Sequence, residues 1–279
     1  MRPKTILVCL TTLEHADTLM RVAVPLARKH SAHLIGLHTL ESLLIYPNIA
    51  MHIPDPSFEA FNNSQNTVTN QIKDVFTQHT ENEGFYCECR ILPAGAVSAA
   101  ERMVESARAA DLVIMSQEDK DADRYDQRHV QVQVIKECGR PVIIVPLDYE
   151  GPEIGKNAIL GWSDAREAAR AAHDLISVVN GDAKLTVLRV GRVPMDTLKD
   201  FEGVDITETF ARHGLDATLE HRDPAGADIA DVLNQVAFEK GADLIISGAF
   251  GHSRVYDFVI GATTHALLKK SKLPVMFSK

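Results

Sequence analysis

Cysteine is scarce in this chain, and so are aromatic side chains, basic charge and long apolar runs. Four cysteines in 279 residues make no disulfide framework, and a reducing, cytoplasmic setting is the expectation. Cys9 and Cys138 lie in apolar surroundings, where a thiol behaves as a small hydrophobe. Cys87 and Cys89 alternate on an expected strand and so share a face, but no second ligand pair accompanies them, as a metal site would require. Lys and Arg number 29 against 38 Asp and Glu, a formal net charge of −9. That balance argues against a general nucleic-acid binder, because phosphate backbones demand clustered cations. A small anion is not excluded, since backbone N–H groups and helix N-termini hold anions without net charge. No apolar run approaches a membrane span. The first, Thr5 to Leu10, is too short for a secretory h-region and lacks a small-residue cleavage pattern, so a first strand is expected there.

Catalytic signatures are missing too. There is no Gly-x-Ser-x-Gly elbow, no Gly-x4-Gly-Lys-(Ser/Thr) loop and no His-Glu-x-x-His helix. The 12 histidines are scattered; His30, His33 and His173 read as surface or core groups rather than ligands. The carboxylates at 118–126 read as a solvated loop.

What is present is a duplication. The length predicts about two domains, and a composition of 45% hydrophobic and 24% charged residues is that of an ordinary globular chain. Asp111-Leu-Val-Ile-Met-Ser116 is followed by Arg140-Pro-Val-Ile-Ile-Val-Pro146. Asp243-Leu-Ile-Ile-Ser-Gly248 is followed by Leu273-Pro-Val-Met-Phe277. The two aspartates are 132 residues apart and Pro141 and Pro274 are 133 apart, a spacing that marks an internal repeat. Each copy reads as five strands alternating with helices. The strands fall near 4–11, 33–40, 85–93, 111–116 and 141–146, then near 157–163, 184–190, 216–222, 243–248 and 274–278. Unbroken β-branched runs such as Ile143-Ile144-Val145 predict strands covered on both faces, hence two tandem doubly wound α/β domains with parallel sheets. The domains are expected at 1–148 and 155–279, joined by Asp148 to Gly155. The first copy carries 21 extra residues. They are assigned to Leu43–Thr67, where Pro47, Pro54, Pro56 and an Asn run predict a long loop or lid rather than a packed element.

One constellation carries chemistry. After the fourth strand of the second copy comes Gly248-Ala-Phe-Gly251-His-Ser-Arg, and ten residues beyond Gly251 Gly261-Ala-Thr-Thr264 opens a helix. Ligands of such sheets sit outside the carboxyl ends of the strands. Gly248 and Gly251 are expected to admit backbone close to a ligand and to adopt φ > 0. Gly261, Ala262 and Thr263 are expected to point free N–H groups at an anion, with Thr263 or Thr264 adding a hydroxyl.

On these residues the chain resembles a tandem universal stress protein, a family whose nucleotide-binding members carry Gly-x2-Gly-x9-Gly-(Ser/Thr) at this place. Gly248, Gly251 and Gly261 match the glycine spacing, and Gly161-Trp-Ser-Asp-Ala-Arg-Glu-Ala-Ala-Arg170 is similar to the family's first strand-to-helix turn. The resemblance covers nearly the whole chain, twice. It implies an adenine nucleotide alpha hydrolase-like fold of strand order 3-2-1-4-5 and binding of ATP or another adenine nucleotide in the C-terminal copy. Base and ribose would lie near Gly161, Trp162, Ser163, Asp164 and Val190. The phosphates would lie at Gly251, Gly261, Ala262 and Thr263, with His252, Ser253 and Arg254 covering them from the loop. Two positions depart from the family. Ser163 stands where ATP-binding relatives keep an acidic residue, with Asp164 one place later. Ala262 stands where they keep Ser or Thr, a loss of about 1 kcal/mol of hydrogen bonding.

In the first copy the same region reads Gln-Glu-Asp-Lys-Asp-Ala-Asp-Arg-Tyr-Asp126 with no glycine before Gly139, and Thr11 occupies the acidic position. Acidic side chains repel a triphosphate, so no nucleotide site is expected there. The resemblance further implies that the copies pack face to face as an intramolecular pseudo-dimer, through their fifth strands; a homodimer of the whole chain stays open. The leading expectation is a stress-response sensor or regulator with a nucleotide ligand. The alternatives are a ligand-free interaction scaffold and a slow ATPase or self-phosphorylating protein.

Overall fold

The computed structural model of the protein describes residues 2–40, 55–93, 98–122, 127–191, 201–251 and 261–279. Its first half runs β1 (Thr5–Cys9), α1 (Ala16–His30), β2 (His33–Leu40), α2 (Asp55–Thr80), β3 (Cys87–Pro93), α3 (Ala99–Ala107), β4 (Leu112–Ser116), α4 (Gln127–Glu137) and β5 (Val142–Val145). The second half repeats this as β6 (Asn157–Trp162), α5 (Arg166–Leu175), β7 (Lys184–Val190), α6 (Phe201–Arg212), β8 (Asp216–Arg222), α7 (Ile229–Lys240), β9 (Leu244–Gly248), α8 (Ala262–Lys270) and β10 (Val275–Ser278). The sheet order is β3-β2-β1-β4-β5-β10-β9-β6-β7-β8, which is 3-2-1-4-5 in each half.

Local chemistry explains the elements. The central strands β1, β4 and β5 are buried along almost their whole length, as strands covered on both faces must be. The α3 helix starts at a capping box, in which Ser98 Oγ accepts from the Glu101 amide and the Glu101 carboxylate accepts from the Ser98 amide. The duplicated aspartates have a structural task. Asp111 Oδ2 accepts from the amides of Lys4 and Thr5 at 2.8 and 3.0 Å. Asp243 accepts from those of Gly155, Lys156 and Asn157 at 2.6, 2.9 and 3.1 Å. In each half this carboxylate ties the entry of the first strand to the start of the fourth.

Two cores fill the layers. One lies under α1, α2, α5 and α6, with Ile72, Phe76, Leu175 and Phe210; the other lies under α3, α4, α7 and α8, with Met103, Val134, Leu233 and Leu267. Cys87 and Cys89 both pack on the first of these, as the alternation predicts.

Two expectations need correction. The halves do not pack face to face: they meet edge to edge, through antiparallel pairing of β5 and β10 with Met276 opposite Ile143. Two apolar edges that each need covering cover one another. One ten-stranded sheet results, and the carboxyl ends of its two parallel halves point in opposite directions. The second correction concerns the insertion, whose residues 43–54 lie outside the described residues. From Asp55 onward it is not a loop but the start of the 26-residue helix α2. Pro56 falls in the first helical turn, where its missing N–H removes no intrahelical bond. The apolar stripe of Val68, Ile72, Val75 and Phe76 anchors the far end. Phe76 lies so close to Gly36 that a Cβ there would come within 2.5 Å of its ring.

Each half also touches the other's crucial turn. Gln117 Nε2, just after β4, donates to Leu268 O at the end of α8 at 2.9 Å. Reciprocally, the Lys136 ammonium near the end of α4 sits 4.9 Å from the centre of the Phe250 ring, just after β9. Lys29 Nζ crosses from α1 to donate to Val178 O at 2.9 Å, and its desolvation there lowers its pKa to about 8.

Candidate functional site

The strand order reverses between β6 and β9, so the carboxyl ends of these strands border a crevice. A cleft opens at that place, with about 590 Å³ of empty space counting its mouth. Gly161, Trp162 and Ser163 come to it from β6, Val190 from β7, Gly248 and Gly251 from the exit of β9, and Thr263 from the first turn of α8. These seven expected residues converge although they are spread over 103 positions of sequence. The apolar wall is made by Leu188, Ile229 and Leu233, and the remaining lining by Ala165, Glu167, Ala168 and Ser247.

The helix mouth has the expected form. Gly261 is the N-cap of α8 with backbone φ −57° and ψ 139°, and among the described residues no side chain caps it. The first-turn amides therefore lack intrahelical acceptors, and no acidic residue occupies that turn. The glycines act differently from the expectation that they adopt φ > 0. Neither Gly248 nor Gly251 has a positive φ; the left-handed residue of this turn is Phe250, at φ 66°. A non-glycine residue in that region costs about 1 kcal/mol. Phe250 is held there by burial and by the cations of Lys136 and Lys279 over its ring. What Gly248 and Gly251 provide is closeness. A Cβ at Gly248 would come within 2.6 Å of the Ala168 amide nitrogen, and one at Gly251 within 2.8 Å of Glu167 Oε2. The first glycine lets β9 pack against the backbone of α5; the second leaves room for a carboxylate.

The other expected residues divide. Asp164 points away from the cleft into an ion pair with Arg189. Ala262 is exposed and Thr264 is buried, and neither lines the cleft. His252, Ser253 and Arg254 lie outside the described residues. Trp162 packs against the core under α5 and α6, with a buried Nε1 that finds no partner among the described residues.

Among the described residues Glu167 is the one charged residue of the lining, and no motif in the sequence marks it. It lies in the first turn of α5, only 6% exposed, and Oε1 accepts from Arg166 Nε at 2.7 Å. The signal was its place in the first turn of the helix that follows the first strand of the second copy, at the carboxyl end of the sheet where ligands sit.

The equivalent crevice of the first half is closed by its own side chains. It encloses about 260 Å³ on the same measure, lined by Thr11, Met115, Ser116, Gln127, Val130 and Gln131. Gln127 clamps the backbone of Asp119, donating to its carbonyl at 2.8 Å and accepting from its amide at 2.9 Å. Gln131 Nε2 donates to Ser116 O at 2.8 Å. His15, the counterpart of Glu167, hydrogen-bonds Asp119, the counterpart of Gly251, with Nε2 and Oδ2 2.7 Å apart. That bond, joined by the Asp121 amide, holds the Asp119 carboxyl below the usual carboxylate range.

Comparison with known proteins accords with this geometry. Residues 158–279 match the model of the Universal stress protein family. The second half is a universal stress protein domain. A universal stress protein from Archaeoglobus fulgidus DSM 4304 is similar over 99% of this chain and 96% of its own, with TM-score 0.73 and 16% identity. A functionally unknown protein from Pseudomonas aeruginosa PAO1 is similar over 99% and 92%, with TM-score 0.54 and 17% identity. At such identities the likeness establishes the fold alone, and that fold runs through both halves. No curated protein matches the chain. Among the described residues no helix is long and apolar enough to cross a membrane, and no group of three or more His, Cys, Asp or Glu side chains could hold a metal ion.

Proposed function

We propose that this protein is a two-domain stress-response protein, with domains at 1–148 and 155–279, whose second domain binds ATP or a related adenine nucleotide as a sensor or regulator. The observation that carries the reading is the convergence of Gly161, Gly248, Gly251 and Thr263 on one crevice, beside the first turn of α8, which no side chain among the described residues caps. Aligned amides at a helix mouth favour an anion. Leu188, Val190, Ile229 and Leu233 offer an apolar wall suited to a flat base. The fold alone says nothing of ligand, so the proposal stands on these residues. The first domain, with its crevice filled by Gln127 and Gln131, acts as a structural partner. Titration of the purified chain with ATP, ADP, AMP and adenosine tests the reading. Calorimetric heat and a thermal shift that both vanish in Gly261→Asp are expected; absence of either signal with every adenine compound refutes it.

A ligand-free scaffold is the second reading, and one observation favours it: Gly248 is already required for packing against α5. It predicts that Gly261→Asp leaves stability and cellular phenotype unchanged.

A further inference from the structure

A buried carboxylate stands where the resemblance leads one to expect phosphate. Glu167 lines the cleft and is only 6% exposed. One of its oxygens, Oε1, is paired with Arg166, whose side chain is 89% exposed and therefore offers a well-screened charge. Its other oxygen, Oε2, accepts no hydrogen bond among the described residues, and it is the atom that a Cβ at Gly251 would meet at 2.8 Å. An acceptor held in a cleft, beside the glycine turn and without a donor, is a specificity device waiting for its complement.

We infer that Glu167 makes this cleft select ligands that donate hydrogen bonds to it, favouring an adenine nucleoside or monophosphate over an uncomplexed nucleoside triphosphate. The inference rests on the adenine reading above and narrows it. A polyphosphate laid along Gly251 brings like charge against a carboxylate that solvent screens poorly. Ribose hydroxyls are donors, and hydroxyl bonds to an ionised oxygen are short and strong. The helix mouth of α8 still favours one negative group, so a single phosphate can be held there while the sugar faces Glu167. The first half supports the logic by contrast. There the counterpart of Glu167 is His15, which already has its partner in Asp119, and among the described residues no carboxylate lines the smaller crevice.

The test is calorimetry on the full chain with adenosine, AMP and ATP, first in EDTA and then with magnesium. In EDTA, adenosine and AMP are expected to bind at least about tenfold more tightly than ATP, and Glu167→Gln to reduce that preference about tenfold. Wild-type protein that prefers ATP in EDTA overturns the inference and leaves the adenine reading standing. A preference for ATP that appears only with magnesium and is lost in Glu167→Gln also overturns it, because Glu167 then ligates a cation. If Glu167→Gln does not fold, the wild-type ratio in EDTA decides alone. Silence from all three compounds in both proteins defeats the adenine reading and this inference together.

Discussion

The two halves of the protein share strand order, aspartate anchors and helix placement, yet one crevice is open and the other is filled. At the exit of the fourth strand the second half has Gly248 and Gly251 where the first has Ser116 and Asp119. The absence of two side chains in one half brings β9 against the backbone of α5 and leaves a space beside Glu167. In the other half the Asp119 carboxylate bonds His15, and Gln127 holds the backbone of the same residue. Duplication thus preserved the scaffold and let the sites diverge, because the scaffold depends on buried strands and the sites depend on a few loop residues.

The comparison is broken most directly at Gly248. Gly248→Val should destabilise the protein by about 3 kcal/mol, since the added carbons meet backbone atoms that cannot move aside. The mirror change Ser116→Ala should cost under about 1 kcal/mol; urea unfolding of both variants measures the asymmetry.

Acid should loosen the first half before the second, an effect of about 2 kcal/mol. His30 is buried, and neither ring nitrogen has a partner among the described residues. Desolvation, then the charges of Lys29, Arg2 and Lys4, lower its pKa from 6.5 to about 4. Between about pH 6.5 and 4 the unfolded chain binds a proton that the folded chain refuses, so stability falls as the pH falls through that window. Asp119 works in a lower range. Its folded pKa is depressed, so its contribution is full above the ordinary aspartate value of 3.8 and is lost as the pH falls through the folded value. Hydrogen exchange at pH 7 and pH 4.5 should show the loss near α1 and β2, and His30→Leu should flatten it. Equal protection loss in both halves would contradict the assignment.

Gly251→Asp places the first half's residue into the second half's crevice. Adenine-ligand affinity should fall at least about tenfold by calorimetry, because the new carboxylate meets Glu167 Oε2 and adds like charge. The smallest effect concerns the link between halves. Lys136→Met removes a cation from the Phe250 ring and should lower stability by about 0.5 kcal/mol. A double-mutant cycle with Phe250→Leu isolates that coupling; zero coupling energy would show the contact to be incidental.

Much of this was readable in the chain. Unbroken apolar runs placed the strands, because a strand buried on both faces has no polar alternation to obscure it. The Asp and Pro marks revealed the repeat, and three glycines pointed to the crevice. The helix from Asp55 escaped because its first turns are polar and carry Pro56 and an Asn run, and its anchoring stripe begins only at Val68. The sequence points to glycine for the left-handed turn because glycine adopts it freely, whereas burial and two cations hold Phe250 there instead.

By itself, then, the sequence determined a duplicated parallel α/β unit and the position of a glycine-marked turn in the second copy. Those features are written in local patterns of burial and chain flexibility. Only the tertiary structure decided that the halves join by antiparallel edges, that one crevice is filled, and that Glu167 faces Gly251 across 84 residues of chain. Such meetings depend on how strands and helices pack at a distance, and no short stretch of residues encodes them.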